Sequence, residues 1–161
     1  MSREKFQVAI MHSSSSNDYL IVKEAILECG FTPRLLIEEI DSGIILENLR
    51  DLIWDEIHCA IVILTQDDEM KSGAKRARQN VVFELGYCFA AFNTLRKDGP
   101  YKPKNAVIVI AEKDVELFEN INGLKRIIYE SSNLRDQRAK LKEALENSYS
   151  KAKLYYKELK E

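Results

Sequence analysis

Five short apolar runs, separated by segments with helical spacing, constrain the fold of this chain more than any other feature of its sequence. The runs extend over Phe6 to Met11, Thr32 to Ile37, Cys59 to Leu64, Ala106 to Ile110 and Arg126 to Tyr129. Repeated alternation of strand and helix predicts a parallel sheet that is covered by helices on both faces. We therefore expect an α/β, flavodoxin-like, three-layer fold with five parallel strands in the order 2-1-3-4-5, because right-handed crossovers leave few other arrangements.

The segments between these runs carry the apolar residues expected of helices. Asn17 or Asp18 can cap the first helix, and Gly30 stands where its C-terminal cap belongs. Further helices are predicted over Ile44 to Trp54, Arg78 to about Asn93, Asp114 to Asn120, and from Leu134 onward. The polar stretch between the third strand and the helix at Arg78 is predicted to be a loop.

Length, charge and cysteine content exclude several classes of protein. A chain of 161 residues has room for one domain and hardly for two, so we expect a domain over residues 1–133 and a helix over 134–161 that completes it and can connect it to a partner or sensor module. With 24 basic and 26 acidic residues, the chain offers no basic field for nucleic acid. No apolar run approaches the roughly 20 residues that cross a bilayer, so no membrane partner is expected. Three widely spaced cysteines indicate a reduced, cytoplasmic protein without a disulfide framework.

In a sheet of this kind, ligands bind beyond the carboxyl ends of the first and third strands. The loop after the first strand contains four consecutive serines, whose hydroxyl and N–H groups suit a phosphate, although such a turn can also serve only to cap a helix. The glycine patterns of Rossmann and P-loop sites are absent. Asp67 and its acidic neighbours are interpreted as a solvated loop, and His12 and His58 have no partner at metal spacing, so no metal site is expected.

Glu84 is the only charged residue between Gln79 and Leu95. A carboxylate in such apolar surroundings either points into a cleft or is costly to bury. Helical spacing places Asn80 one turn before it, while Val81, Leu85, Cys88 and Phe92 can form the packing face. Gly86 costs about 1 kcal/mol relative to alanine in a helix, which suggests the close approach of a backbone or ligand. The alternative is that Glu84 pairs with Arg76 or Arg78 and has a structural role.

Two strings carry a family resemblance: TQDD at 65–68 and ARQNVVFELGY at 77–87. They resemble the predicted nucleotide-binding, TIR-like domains of bacterial anti-phage effectors, such as Pycsar TIR effectors and TIR–STING fusions. The likeness extends from Phe6 to Tyr129. Where many relatives have a second glycine-rich stretch after the motif, this chain has alanines at positions 90 and 91.

The resemblance implies that the chain cleaves the nicotinamide–ribose bond of NAD+, by hydrolysis to ADP-ribose or by cyclisation. Glu84 is then the catalytic residue, because an anion can stabilise or trap an oxocarbenium-like ribose. By the same resemblance, the substrate-binding residues are Ser13, Ser14, Asp67, Arg78 and Asn80. No cofactor is required, since NAD+ is the substrate, and no metal is implied.

The family also implies a role in antiviral defence that depends on self-assembly. The 38–45 loop corresponds to the TIR BB loop, which mediates self-association, and a sensor module commonly accompanies such domains. We therefore expect the isolated chain to be weakly active until it is clustered. Two alternatives stay open: a nucleoside 2-deoxyribosyltransferase-like enzyme, and a non-catalytic TIR scaffold. The presence of Glu84 together with Asn80 favours an enzyme over a scaffold.

Overall fold

A computed structural model of the protein describes residues 1–13, 15–35, 53, 56–93, 106–117, 124–130 and 133–158. The predicted helix from Ile44 to Trp54 lies outside these ranges except for Ile53, and the 38–45 loop lies outside them entirely. None of the helices in the described part of the chain combines the length and the apolar character needed to span a membrane.

The main sheet of the described structure has five parallel strands. They are β1 (Gln7–Met11), β2 (Thr32–Leu35), β3 (Cys59–Leu64), β6 (Val107–Glu112) and β7 (Arg126–Tyr129). Their order is β2-β1-β3-β6-β7, which confirms the predicted α/β fold and topology. All six residues of β3 are buried, as its unbroken apolar sequence predicts. β6 continues two residues beyond the predicted end of this strand, to Glu112.

Helices cover both faces of this sheet. They are α1 (Asp18–Glu28), α2 (Gln79–Asn93) and α3 (Arg138–Glu158), with 3-10 turns at Arg3–Lys5 and Leu134–Gln137. Because side chains alternate along a strand, Val8 and Ile10 pack in the core beneath α1 and α3, whereas Ala9 and Met11 pack in the core beneath α2. The α2 helix therefore lies on the opposite face of the sheet from α1 and α3.

Two local expectations need correction. The predicted loop between β3 and α2 contains a hairpin of two short strands, β4 (Asp68–Glu69) and β5 (Lys75–Arg76). The predicted short helix at Asp114 to Asn120 is wrong for its described residues, 114–117, which form a turn and a bridge. Here the N–H of Glu116 donates to the carbonyl of Lys75 at 2.8 Å. A backbone contact between distant segments therefore determines the conformation, and helical spacing does not reveal it.

The ends of the helices differ from the expected ones in detail. Gly30 has a φ of +74°, which confirms its role as the residue that ends α1. At the start of α1, the side chain of Asn17 makes no capping bond, and the N–H of Asp18 instead donates to Ser16 Oγ at 3.1 Å. The segment at Leu134 begins as a 3-10 turn rather than as part of α3.

One partly buried hydrogen bond joins the edge strand β7 to the start of α1. The hydroxyl of Tyr129, at the end of β7, donates to Asp18 Oδ2 at 2.7 Å. Burial, and then this bond, raise the pKa of the Tyr129 hydroxyl. The bond holds the first turn of α1 against the carboxyl edge of the sheet.

The substitution Tyr129→Phe is expected to lower the free energy of unfolding by about 1 kcal/mol, because the hydrogen bond to Asp18 is lost while the ring stays buried. Urea unfolding of the purified chain measures this difference. Tyr87→Phe is the matched control, because it removes the hydroxyl of a half-buried tyrosine on α2 and leaves the Asp18 bond in place. A loss in the control as large as in Tyr129→Phe would contradict the role given to the Asp18 bond.

Candidate functional site

The candidate site lies at the carboxyl edge of the sheet, where the segments that follow β1, β3 and β6 meet. A cavity of about 500 Å³ opens there. It is lined by Ser15, Ser16, Asn17, Asp18, Thr65, Gln66, Asp67 and Glu112. This is the edge at which open α/β sheets bind their ligands, because the strand order reverses between β1 and β3.

The carboxylate of Asp67 joins the loop after β1 to the end of β3. Ser15 Oγ donates to Asp67 Oδ1, and Thr65 Oγ1 donates to Asp67 Oδ2 at 2.6 Å. Ser13 Oγ lies 2.8 Å from Ser15 Oγ. Two of the residues expected to bind substrate, Ser13 and Asp67, are thus brought together through Ser15. Ser14 lies outside the described residues.

Glu112 extends the site to the end of β6. Its Oε2 accepts a hydrogen bond of 2.8 Å from the N–H of Gln66, whose side-chain amide donates to the carbonyl of Lys113. The sequence indicated Ser15 only as one of four serines in the loop after the first strand, and it did not indicate Glu112. A polar residue at the carboxyl end of a strand is a candidate for the site, but Glu112 was missed because the predicted strand ended two residues before it.

Glu84 lies in the second turn of α2 and is half-buried. Burial raises the pKa of its carboxyl from 4.5 to about 7. An ion pair with Arg76 or Arg78 would move this pKa in the opposite direction, because a neighbouring cation favours the carboxylate. Desolvation therefore dominates the environment of Glu84, which argues against the structural ion pair left open by the sequence.

The packing of α2 places Glu84 one helical turn before Cys88, which contacts the end of β1. Cys88, one helical turn after Glu84, has its Sγ 3.4 Å from Sδ of Met11, the last residue of β1. The pKa of the Cys88 thiol is raised by burial and then by the charge of Glu84, so the two groups are close. Val81, Leu85 and Phe92 are buried together with Cys88, which confirms the predicted packing face, and Ala91 is buried with them. Glu84 itself is not among the residues that line the 500 Å³ cavity.

The other two expected substrate-binding residues lie near the start of α2. Arg78 immediately precedes the helix and its carbonyl accepts from the N–H of Val82 at 3.1 Å, while Asn80 is the second helical residue. Both side chains are exposed. Gly86 is also exposed, and a Cβ placed on it would meet no atom within 4 Å. The close approach that the sequence suggested for this glycine has no counterpart in the described part of the chain.

The lining of the cavity has a marked charge asymmetry. It contains the carboxylates of Asp18, Asp67 and Glu112, and none of its lining residues is a lysine or arginine. His12 flanks the site, stacked on the ring of Tyr19 with the ring centroids 4.3 Å apart. Among the described residues, no group of three or more His, Cys, Asp or Glu side chains is placed to hold a metal ion.

Comparison with known proteins identifies one family. Residues 7–131 match the family described as CAP12/Pycsar effector protein, TIR domain. The match spans all five strands of the main sheet and the whole of α2, and it ends before α3. A search of curated proteins gave no match.

The substitution Glu84→Gln is expected to raise the free energy of unfolding at about pH 8, by on the order of 1–3 kcal/mol, and to have a smaller effect at about pH 5. The folded pKa, about 7, lies above the ordinary value of 4.5. The stability contributed by protonated Glu84 is therefore fully present below about pH 4.5 and is lost as the pH rises through 7, whereas glutamine stays neutral.

Urea unfolding at both pH values measures this effect, and Glu143→Gln, an exposed position on α3, controls for the loss of one carboxylate. An equal gain at the two pH values would show that the Glu84 carboxyl is not desolvated in the folded chain.

Proposed function

This chain belongs to the TIR-domain family of CAP12/Pycsar effector proteins, and on that premise we propose that it is an NAD+ nucleosidase. In this proposal it breaks the bond between nicotinamide and ribose and yields ADP-ribose or a cyclic ADP-ribose. The observation that supports it most directly is the half-buried Glu84 carboxyl on α2, whose pKa is raised by burial. Perturbed carboxyl groups of this kind cluster at functional sites.

The chemistry requires an anion close to the reacting carbon. As nicotinamide leaves, positive charge develops on C1′ and the ring oxygen of the ribose. The Glu84 carboxylate stabilises that charge, and its partial burial strengthens the interaction because less water screens it. The positive nicotinamide ring of bound NAD+ also favours the ionised form of Glu84. The ribose intermediate is then captured by water or by the adenine of the same molecule.

The remaining proposed contacts lie on either side of Glu84. Asn80, one turn earlier on α2, is proposed to orient Glu84 or the ribose. Arg78 supplies positive charge at the start of the helix, where a diphosphate is favoured by the guanidinium and by the helix dipole. The serine loop follows β1 and Asp67 follows β3, and we propose that together they form the other wall.

Assembly completes the proposal. As the family resemblance implies, we propose that copies of the chain self-associate, in part through the 38–45 loop, and that this raises activity in the cytoplasm. NAD+ is the proposed small-molecule partner, and a sensor module is the proposed source of the activating signal. The described structure contains neither that loop nor a second copy of the chain.

Glu84→Gln is expected to lower the rate of nicotinamide release from NAD+ by at least about 100-fold, because the neutral amide cannot stabilise the cationic ribose. Chromatography of concentrated protein with NAD+ measures nicotinamide directly. Glu143→Gln is the matched control and should retain the wild-type rate. Nicotinamide release that persists in Glu84→Gln would contradict the proposal, and base exchange between added deoxynucleosides and free bases would support a deoxyribosyltransferase instead.

The pH dependence of the reaction gives a second, independent test. Since the carboxylate is the active form, kcat/KM for NAD+ is expected to rise with pH through an apparent pKa near the value of about 7 given for Glu84. Initial rates measured across this pH range should show the same rise of kcat/KM in the wild type and in Glu143→Gln. A value of kcat/KM that falls with increasing pH would instead make Glu84 a proton donor.

A further inference from the structure

We infer that Asp67 is a positioning residue: it fixes the hydroxyls of Ser15 and Thr65 as hydrogen-bond acceptors, with Ser13 supporting Ser15 from behind, so that this end of the site selects a ribose hydroxyl and rejects the diphosphate. This inference rests on the proposed function, because it assigns a part of NAD+ to a part of the site. It also changes the role of Asp67 from a substrate ligand to a residue that acts through its neighbours.

The first step concerns the two hydroxyls bonded directly to Asp67. A carboxylate has no proton to give, so it can only accept. Ser15 and Thr65 each have a single hydroxyl hydrogen, and each donates it to an oxygen of Asp67. Neither hydroxyl has a hydrogen left for a ligand.

The second step concerns Ser13. Because the hydrogen of Ser15 is already committed to Asp67, the 2.8 Å contact between the two serine oxygens must be donated by Ser13. The backbone N–H of Ser15 donates to Ser13 Oγ in turn, at 3.3 Å. Ser13 is 3% exposed and serves as the buried end of this chain of hydrogen bonds. Ser15 is exposed and, like Thr65, lines the cavity.

The third step is the match to a ligand. Oxygens that can only accept require a ligand group that donates, such as a ribose hydroxyl or the carboxamide of nicotinamide. Phosphate oxygens accept hydrogen bonds and carry negative charge, so they are unfavourable here. The carboxylates of Asp18 and Glu112 add to this repulsion, and the remaining lining groups, on Ser16, Asn17 and Gln66, are neutral.

The position of this wall is consistent with a role near the reacting carbon. Met11 packs against Cys88 beneath α2, and the serine loop begins two residues after Met11. The hydroxyls of Ser13 and Ser15 therefore follow the strand that α2 contacts through Cys88, one helical turn after Glu84. Of the two donor groups, we assign the ribose hydroxyl, because the ribose carries C1′.

Isothermal titration calorimetry with ADP-ribose and with ADP tests the inference without turnover. Wild type is expected to bind ADP-ribose more tightly than ADP. The variant Asp67→Asn is expected to reduce that affinity ratio by about 10-fold, because the amide can donate to a serine or threonine oxygen and leave its hydroxyl hydrogen free to bind a phosphate. Ser15→Ala should weaken the binding of ADP-ribose by about 3- to 10-fold and have little effect on the binding of ADP. Asp68→Asn, which removes the neighbouring charge, is the matched control and should leave the ratio unchanged.

If Asp67 has only a structural role, Asp67→Asn will lower the midpoint of thermal unfolding and weaken the binding of both ligands to the same extent. That result would overturn the inference. So would an equal change of the affinity ratio in Asp68→Asn, or a wild type that binds ADP as tightly as ADP-ribose. A preference that appears only with a non-hydrolysable NAD+ analogue would move the donor to the carboxamide and also overturn it. If Glu84→Gln abolishes NAD+ cleavage but Asp67→Asn leaves the ADP-ribose to ADP affinity ratio unchanged, this inference alone is overturned. If cleavage survives in Glu84→Gln, the proposed function alone is overturned.

Discussion

The packing of α2 on the sheet is the constraint on which the candidate site depends. The contact between Cys88 and Met11 fixes the helix against the strand, and burial of the α2 packing face leaves Glu84 half-buried at its margin. Desolvation at that margin raises the pKa of Glu84 to about 7. A different rotation of α2 about its axis would either expose this carboxyl fully or bury it without access to a ligand.

Much of the fold and the central site residue could be predicted because their signals are local. The five apolar runs and their alternation with helices determine the sheet order, and Glu84 is recognisable as the only charge in an apolar helix. The β4–β5 hairpin was not predictable because each of its strands has two residues, too few for an alternating pattern. The conformation at Asp114 was not predictable because it depends on a hydrogen bond from Glu116 to the distant Lys75. The link from Ser15 to Asp67 spans 52 positions, so no sequence spacing indicates it.

The two walls of the proposed site differ in charge and in hydrogen-bonding character. Arg78 brings positive charge to the start of α2, whereas Asp18, Asp67 and Glu112 make the cavity at the carboxyl edge of the sheet acidic and rich in acceptors. NAD+ has a matching asymmetry, with a negative diphosphate and a positive nicotinamide ring joined through a ribose. This complementarity gives the proposed orientation of the substrate a physical basis, with the diphosphate towards Arg78 and the nicotinamide ribose towards the acidic wall.

The most direct test of this account is a crystal structure of the Glu84→Gln variant with intact NAD+ bound. The account predicts that C1′ of the nicotinamide ribose lies within about 4 Å of the side chain at position 84, close to the distance of a reactive contact. It also predicts that a ribose hydroxyl contacts Ser15 or Thr65. NAD+ bound instead at the opposite edge of the sheet, for example in the cavity lined by Lys5, His58 and Lys153, would contradict the central claim that Glu84 acts on this bond.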